Sequence, residues 1–586
     1  MGLGVLVETR PGGGPPTLAG SRQGVYRAGP SDFGLLRLAL RLRIRSGVSS
    51  VQLAQSKAKP QRYRRRQPEF TVLYRVVQRH WQTYRERAEA SGPLPQFVVD
   101  EFEQYLRCGV LAHGAVLVAC VDCSHERLVG LSCKGRAFCP SCLGRRMNDS
   151  AAFLIDHVLP QEPLRQWVCT LPWELRYLAG YDKQLASELV GAFVKSVLDS
   201  LRRRAKHELG LRSVTEAHAG AVTFIQRFDS ALRLNPHAHT EALDGVYVEQ
   251  DGQLVFHPLG EPSAEDIEYV ARRTFERAKQ LLRRRGLLNG ERLEADGCED
   301  PLQTDQPALA DCYGTAVRGI EQFGNRSGQP TLRLIDPAAA TEGLERTVAA
   351  VTVGGFNIYA GRAIEGRDRK QLERQLRYLG RPPLAQHRLQ ELADGRVRYH
   401  MKRSWKDGTT SLVFDPLDFI GRLAALVPPA RFNMVRYHGV LAPNAKLRSR
   451  IVPAPTDNSR PAQLDLFDKT PMYFDGSKYR LRWASLLKRT FREDLEVCER
   501  CGGSARPRAR RSALAARTLR RTARRSGASP GPAAPSARAR LVRRARLSRC
   551  ASSAPRHGAA GRSQWALRAH RCVSRPGLLS FAVPTQ

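Results

Sequence analysis

Two histidines set one residue apart, His237 and His239, lie in the stretch Leu234-Asn-Pro-His-Ala-His-Thr240. The flanking runs, Gly220–Phe228 and Thr240–Val248, read as strands. In an extended chain alternate side chains share a face, so the two imidazoles point the same way, about 6.6 Å apart along the strand. Two neutral imidazoles on a rigid platform can chelate one divalent cation. A bare His-x-His pattern is common, and its meaning depends on what accompanies it. One companion is Tyr378. The helix expected over Gly366–Leu379 places Leu372, Leu376 and Leu379 within about 60° of one another, at 100° per residue. Tyr378 falls about 120° away on that wheel, with Gln371, Arg374 and Gln375. A core tyrosine would share the leucine face. This phenol sits on the polar one, in the last turn before Gly380-Arg381-Pro382-Pro383 stops the helix.

A second constellation is built from thiols. Cys120-x-x-Cys123, fifteen intervening residues and Cys139-x-x-Cys142 fit a four-thiolate zinc site, since two tight turns bearing two thiolates each give tetrahedral coordination without a large core. Cys108, His113, His125 and Cys133 share the segment and are substitute ligands, a second site or packing residues. Lys134, Arg136, Arg145 and Arg146 surround the second pair, as contact with phosphate would require. A closed tetrathiolate site holds structure and does not catalyse. Cys498-x-x-Cys501 resembles half of another such knuckle, and Cys550 and Cys572 are too irregularly placed to complete it.

The elements that must position these groups belong to a chain of 586 residues, long enough for three or four domains and a sizeable core. Its formal net charge of +38 calls for a polyanionic partner. Residues 504–586 carry 20 Arg and no Lys, Asp or Glu, which leaves +18 on the first 503. That tail is rich in Ala, Ser, Pro and Gly without apolar periodicity, and is expected to be disordered. It reads as a frameshifted or otherwise unselected extension, or as a genuine nucleic-acid-binding arm. No run of 18 apolar residues exists to span a membrane, no signal-peptide pattern opens the chain, and the cysteines fall in Cys-x-x-Cys pairs. A reducing, cytoplasmic setting is expected.

In chain order, residues 1–60 read as a poorly ordered leader with only Glu8 and Asp32 as acids. Residues 61–150 form a helical and zinc-binding domain, with amphipathic helices over Phe70–Ala90 and Gln96–Leu106. A catalytic domain is expected over 151–400, with helices at Lys183–Arg204 and Ser263–Arg285, an insertion with little structure at 286–345, and strands within 347–360. Residues 401–503 make a C-terminal region. Around its start, Val397–His400 and the run ending at Phe414 read as a hairpin turned at Asp407-Gly408. Asp415–Val427 is a short helix, Arg436–Val440 a loop and Trp483–Arg492 a helix.

A histidine pair holding a metal, an exposed tyrosine on a separate helix, a zinc module and excess positive charge are the parts of a DNA strand-transfer enzyme. A metal held by the histidines would supply polarisation of the scissile phosphate, and the phenol would attack in line to conserve the bond as a 5′-phosphotyrosine. With a free pKa near 10, the tyrosine needs a neighbouring cation such as Arg374, Lys402 or the metal.

From about Tyr63 to Gly503 the sequence resembles the HUH-type rolling-circle transposases of the insertion-sequence-91 group. The resemblance rests on Cys133-Lys-Gly-Arg-Ala-Phe-Cys-Pro-Ser-Cys142 with Arg145-Arg146-Met147, on Gly220–Phe228, and on His237-Ala-His239 with Leu243-Asp-Gly-Val-Tyr247. Tyr378-Leu-Gly-Arg-Pro-Pro383 and Arg436-Tyr-His-Gly-Val-Leu-Ala-Pro-Asn444 extend it. It implies an α+β fold, a small antiparallel HUH-type sheet flanked by helices and preceded by the zinc domain. It also implies that His237 and His239 are metal ligands and Tyr378 the nucleophile. Structural Zn2+, catalytic Mg2+ or Mn2+, and single-stranded transposon ends and target DNA follow as cofactors and partners, in a bacterial, nucleoid-associated protein.

Three departures stand out. Family members are described as two-tyrosine enzymes, but Pro382 stands four residues after Tyr378, as in the single-tyrosine branch. Thr240 and Glu241 follow the histidines where a buried strand prefers apolar residues, and Glu241 lies about 13 Å along the strand from His237, out of reach of a shared metal without a bulge. Gln226, on the preceding strand, is the preferred third ligand. The C-terminus diverges after Gly503. Other readings are a replication initiator or relaxase of the same chemistry, which would not be expected to carry the zinc block, and an inactive element copy that only binds DNA.

Overall fold

The computed structural model describes residues 66–289, 292–293, 300–340, 350–453, 483–491 and 494–510. The leader, most of the tail, Cys550 and Cys572 lie outside them. The N-terminal helices are α1 (Val72–Ala88), capped by the Thr71 hydroxyl accepting from Tyr74 N, and α2 (Gln96–Arg107). Their apolar stripes meet through Trp81 and Phe102, stacked with ring centroids 4.0 Å apart. A hairpin of β1 (Ala115–Cys120) and β2 (Glu126–Gly130) follows, then α3 (Pro140–His157), which starts on a proline whose missing N–H would have been unsatisfied anyway.

The central region opens with β3 (Leu164–Thr170), α4 (Trp173–Tyr181) and α5 (Lys183–Glu208). It continues through β4 (Gly220–Phe228), β5 (Leu234–Leu243), β6 (Gly245–Gln250) and β7 (Gln253–Pro258). α6 (Ala264–Arg284) begins on a reciprocal Ser263–Asp266 capping box. After the short pair β8 (Leu288–Asn289) and β9 (Arg292–Leu293) come α7 (Pro301–Asp305), α8 (Pro307–Arg318) and β10 (Leu332–Ile335). The next elements are β11 (Ala350–Val353), β12 (Phe356–Ile364) and α9 (Arg369–Leu379), whose start Asp368 caps. β13 (Leu389–Glu391), β14 (Val397–His400), β15 (Thr409–Phe414) and α10 (Pro416–Ala425) follow. Last come β16 (Val435–Gly439), α11 (Arg448–Ile451), α12 (Trp483–Phe491) and β17 (Ala505–Arg510).

Six antiparallel strands in the order β11-β12-β3-β5-β4-β16 form the central sheet, with β5 hydrogen-bonded on both sides. The strand period of two sorts β5 between two cores. Ala238 and Ala242 face α5 and α6 with Cys169 and Ile225. The odd-numbered positions share their face with Val222, Phe224 and Leu243, over which the leucines of α9 and the apolar side of α3 pack. A second sheet, β10-β15-β14-β13, closes with α1, α8 and α10 around a separate core. The architecture is α+β with antiparallel sheets, led by a cysteine-rich region.

Several local expectations change. The histidines lie inside β5, which begins at Leu234, rather than between strands, because β3 and β4 supply partners along its whole length. Residues 435–439 form the edge strand β16 rather than a loop, paired with β4 from Phe224 to Gly220. The passage 286–345 is not structureless: α8 buries Leu309, Cys312 and Tyr313. Polar residues at its ends concealed that helix, and order also continues past Gly503 into β17.

Candidate active site and cysteine clusters

His237 and His239 project from the α9 side of β5, their ring centroids 4.9 Å apart. His237 Nδ1 lies 2.7 Å from the carbonyl of Asn235, so this nitrogen carries the proton and donates, leaving the Nε2 lone pair free. His239 Nδ1 lies 3.1 Å from the Gln166 amide on β3. Burial lowers the pKa of both rings. That of His239 is pushed down to about 3 by desolvation first, then by His237 and Arg381. Both are therefore neutral at pH 7, the state a metal requires.

Gln226 stands directly opposite His237 in the register of β4 and β5. Its Nε2 donates to Leu379 O at 2.7 Å, while its buried Oε1 has no hydrogen-bond partner. An unsatisfied buried carbonyl oxygen beside two imidazoles fits a cation. His237 Nε2, His239 and Gln226 Oε1 could offer a mixed N/O donor set of the kind that suits divalent first-row metals and, through its oxygen, Mg2+.

The two polar positions after the histidines are also accounted for. Thr240 turns to the opposite face and shares a hydroxyl contact of 2.8 Å with Thr223. Glu241 is completely buried, and burial pushes its carboxyl up to about 7. Gln375 Nε2 donates both to Glu241 Oε1 at 3.1 Å and to Gln166 Oε1 at 3.0 Å. A chain of two amides thus joins Glu241 to His239. No contact runs from Glu241 to His237 among the described residues, consistent with their spacing on the strand.

Tyr378 comes to the same place from α9. Leu372, Leu376 and Leu379 are buried, and Tyr378 is 44 % exposed with its ring centroid 6.5 Å from that of His239. Arg381 lies 4.8 Å from the ring centre and Lys402 Nζ 5.9 Å. Arg374 is not among the cations over the ring. Its Nε donates back to Lys370 O at 3.3 Å, one turn toward the N-terminus of the helix. Arg381 was not singled out in the sequence, where it reads as part of a helix stop. Its one cue was a position three residues after the tyrosine.

The cysteines form two sites rather than one. Cys108, Cys133, Cys139 and Cys142 converge in one cluster, and Cys120, Cys123, Cys498 and Cys501 in another. The quartet Cys120, Cys123, Cys139 and Cys142 is therefore divided. The reason is the β1–β2 hairpin. Cys120 and Cys123 sit at its tip, Cys108 and Cys133 beyond its base, and six residues of strand hold them about 16 Å apart. Sγ–Sγ distances in the first cluster are 3.7 Å for Cys108–Cys142, 3.4 Å for Cys133–Cys142 and 3.6 Å for Cys108–Cys139. A zinc tetrahedron with about 2.3 Å Zn–S bonds has edges of about 3.8 Å. Glu101 on α2 fixes the intervening loop by accepting from Arg136 N and Ala137 N at 2.8 and 2.9 Å. Gly135 permits this, since a Cβ there would stand 2.5 Å from the Glu101 carboxylate.

Residues 76–171 match the family model for the transposase zinc-binding domain of the insertion-sequence-91 type. Residues 220–449 match the Y2 family model described as "Putative transposase". The chain belongs to the insertion-sequence-91-type transposases. No curated protein and no solved structure matches it. The first match contains every cysteine of the Cys108 cluster, and the second spans Gln226, His237, His239, Tyr378 and Lys402. Cys498 and Cys501 fall outside both. As a transposase with a zinc-binding domain, the protein acts on DNA. Among the described residues, no helix is long and apolar enough to cross a membrane.

Proposed function

We propose that this transposase nicks single-stranded DNA through Tyr378 and holds the 5′ end as a phosphotyrosine, in a rolling-circle type of transposition in the bacterial cytoplasm. The observation that carries this reading is the meeting of an exposed phenol with the two histidines and two cations. It is supported by an exposed tyrosine on a helix whose leucines pack over the histidine face of the sheet.

In this reading Tyr378 Oη attacks the scissile phosphorus. The bond formed is Oη–P and the bond broken is P–O3′, so the 3′ oxygen leaves and takes up a proton while the phenol gives one up to solvent. Arg381 and Lys402 favour the phenolate electrostatically and attract the phosphate backbone. His237, His239 and Gln226 would hold the divalent cation, Mg2+ or Mn2+, which when bound supplies Lewis-acid polarisation of the phosphate. His237 keeps its Nε2 lone pair presented because Asn235 O takes the Nδ1 proton. Reversal of the same step onto a new 3′ hydroxyl rejoins the strand and restores the phenol.

The test is a 5′- or 3′-labelled single-stranded oligonucleotide incubated with the full chain and magnesium or manganese. A denaturant-resistant adduct on the 5′ phosphate that disappears with Tyr378→Phe is expected. DNA binding with no adduct in the wild type would overturn the reading in favour of a binding protein without strand-transfer chemistry.

A further inference from the structure

The second cysteine cluster joins parts of the chain that are very distant in sequence. Cys120 Sγ lies 3.5 Å from Cys501 Sγ, and Cys123 Sγ lies 3.6 Å from Cys498 Sγ. All four sulfurs lie within 4.8 Å of one another. These separations match the edge of a zinc tetrathiolate, about 3.8 Å, and exceed the 2.05 Å of a disulfide. The cysteines are free thiols.

Two rubredoxin-like turns face each other across this cluster. Asp122 N points at Cys120 Sγ and Gly503 N at Cys501 Sγ, each at 3.4 Å, so a backbone N–H supports one sulfur in each pair. Such donors stabilise thiolate charge. Gly502 adopts a φ of +77°, which only glycine takes at little cost, and lets the second turn close. The turns are bonded to each other as well. Ser504 N donates to Asp122 Oδ2 at 3.1 Å, and Val121 N to Ser504 O at 2.9 Å. Beyond the cluster β17 extends the hairpin into a three-stranded sheet, with Ala505 opposite Cys120. On its other side, Arg127 donates to Leu495 O at 2.6 Å.

We infer that Cys120, Cys123, Cys498 and Cys501 form a second structural zinc site, a clasp that fastens the segment 494–510 onto the zinc domain. Four mutually close thiols in a small three-stranded sheet have little apolar surface to hold them. Among the described residues, the buried apolar cluster there is Val118, Val129 and Ala505 with Val116 packed against it, a small core for which a metal supplies the closure. The clasp also anchors the chain at Cys498, shortly after α12. That helix places Arg489 between Asp156 of α3, at 2.5 Å, and Glu373 of α9, at 3.2 Å. A metal in the clasp therefore steadies a brace on the helix that carries Tyr378. The inference does not depend on the strand-transfer reading.

The experiment is metal stoichiometry on the full-length chain, read by elemental analysis and by the cobalt–thiolate absorption after exchange. Two thiolate-bound zinc ions per chain are expected, counted apart from any Mg2+ or Mn2+. Cys498→Ser and Cys120→Ser should each remove one ion, and combining them should remove no more than that one. Combining Cys498→Ser with Cys139→Ser should remove both. One ion per wild-type chain, or two retained after Cys498→Ser with Cys501→Ser, would overturn the clasp. If serine variants do not fold, the wild-type count and Cys498→His, which keeps a ligand and should keep the second ion, decide the matter. A single site of Cys120, Cys123, Cys139 and Cys142 predicts the opposite pairing of losses. A chain with both ions but no DNA adduct would leave the clasp standing and remove the nuclease reading alone.

Discussion

Replacing Gln166 by leucine tests how the candidate metal site is tuned. The change nearly conserves volume, so the strand β3 and its packing remain. What disappears is the polar partner of His239 Nδ1, now 3.1 Å away. A neutral imidazole can ligate through Nε2 only when Nδ1 holds the proton, and that proton needs an acceptor. In the structure the Gln166 amide nitrogen faces His239 and its Oε1 accepts from Gln375. Gln166 therefore becomes that acceptor only with both amides turned, Gln375 then accepting from the amide of Gln166 and from a protonated Glu241. Burial favours that protonated state, with the carboxyl pushed up to about 7. With leucine at position 166, the Nδ1 proton of the ligating tautomer is buried without a partner. Loss of such an outer partner typically weakens metal binding about 10–100-fold, or roughly 1.4–2.7 kcal/mol. The assay is Mn2+ binding followed by electron paramagnetic resonance on zinc-loaded protein, with zinc content as the control for folding. A Mn2+ dissociation constant within twofold of wild type, at unchanged zinc content, would refute the reasoning.

Two further predictions concern stability. Arg165 and Asp244 are buried and joined by hydrogen bonds of 2.7 and 2.8 Å. Asp244→Ala should cost about 3–5 kcal/mol by stranding the guanidinium, and Arg165→Met with Asp244→Leu should recover most of it in denaturant titration. A single-variant loss below about 1 kcal/mol would show the pair to be solvated. Burial raises Asp418 from its ordinary 3.8 to about 6, although Gln322 N and Phe323 N donate to its Oδ1. A carboxyl with a raised folded pKa is best tolerated below pH 4, and its contribution to stability is lost as the pH climbs to about 6. Across that window the wild type should lose about 3 kcal/mol relative to Asp418→Asn, from roughly two pKa units at 1.36 kcal/mol each. Parallel pH profiles of the urea midpoint for the two proteins would contradict this.

What could be read in advance depended on local periodicity. The leucines at 372, 376 and 379 fixed the buried face of α9 and left Tyr378 on the other, as the exposures confirm. His-x-His in an extended run similarly fixed a shared face, which β5 has. Pairing across sequence distance was out of reach. Nothing near Cys120 reports that a hairpin carries it away from Cys139 and toward Cys498. The amides of Gln166 and Gln375 are ordinary residues until β3 and α9 bring them to Glu241. Arg436-Tyr437-His438 lacks the alternation of a half-buried strand because β16 lies at the sheet edge, with every residue only partly covered. Of the cations weighed for the phenol, Lys402 stands over the ring, whereas Arg374 bonds back to Lys370 O, an end point that a helical wheel does not record.

The separation of 375 positions between Cys123 and Cys498 has a consequence for synthesis. At about 5–20 residues per second, a ribosome takes roughly 20–75 s to span that interval. For that time the nascent hairpin displays two thiols whose partners do not yet exist, while the neighbouring foursome can already take its ion. Until the late turn emerges, that half-made site offers two thiols to whatever metal or oxidant reaches it first.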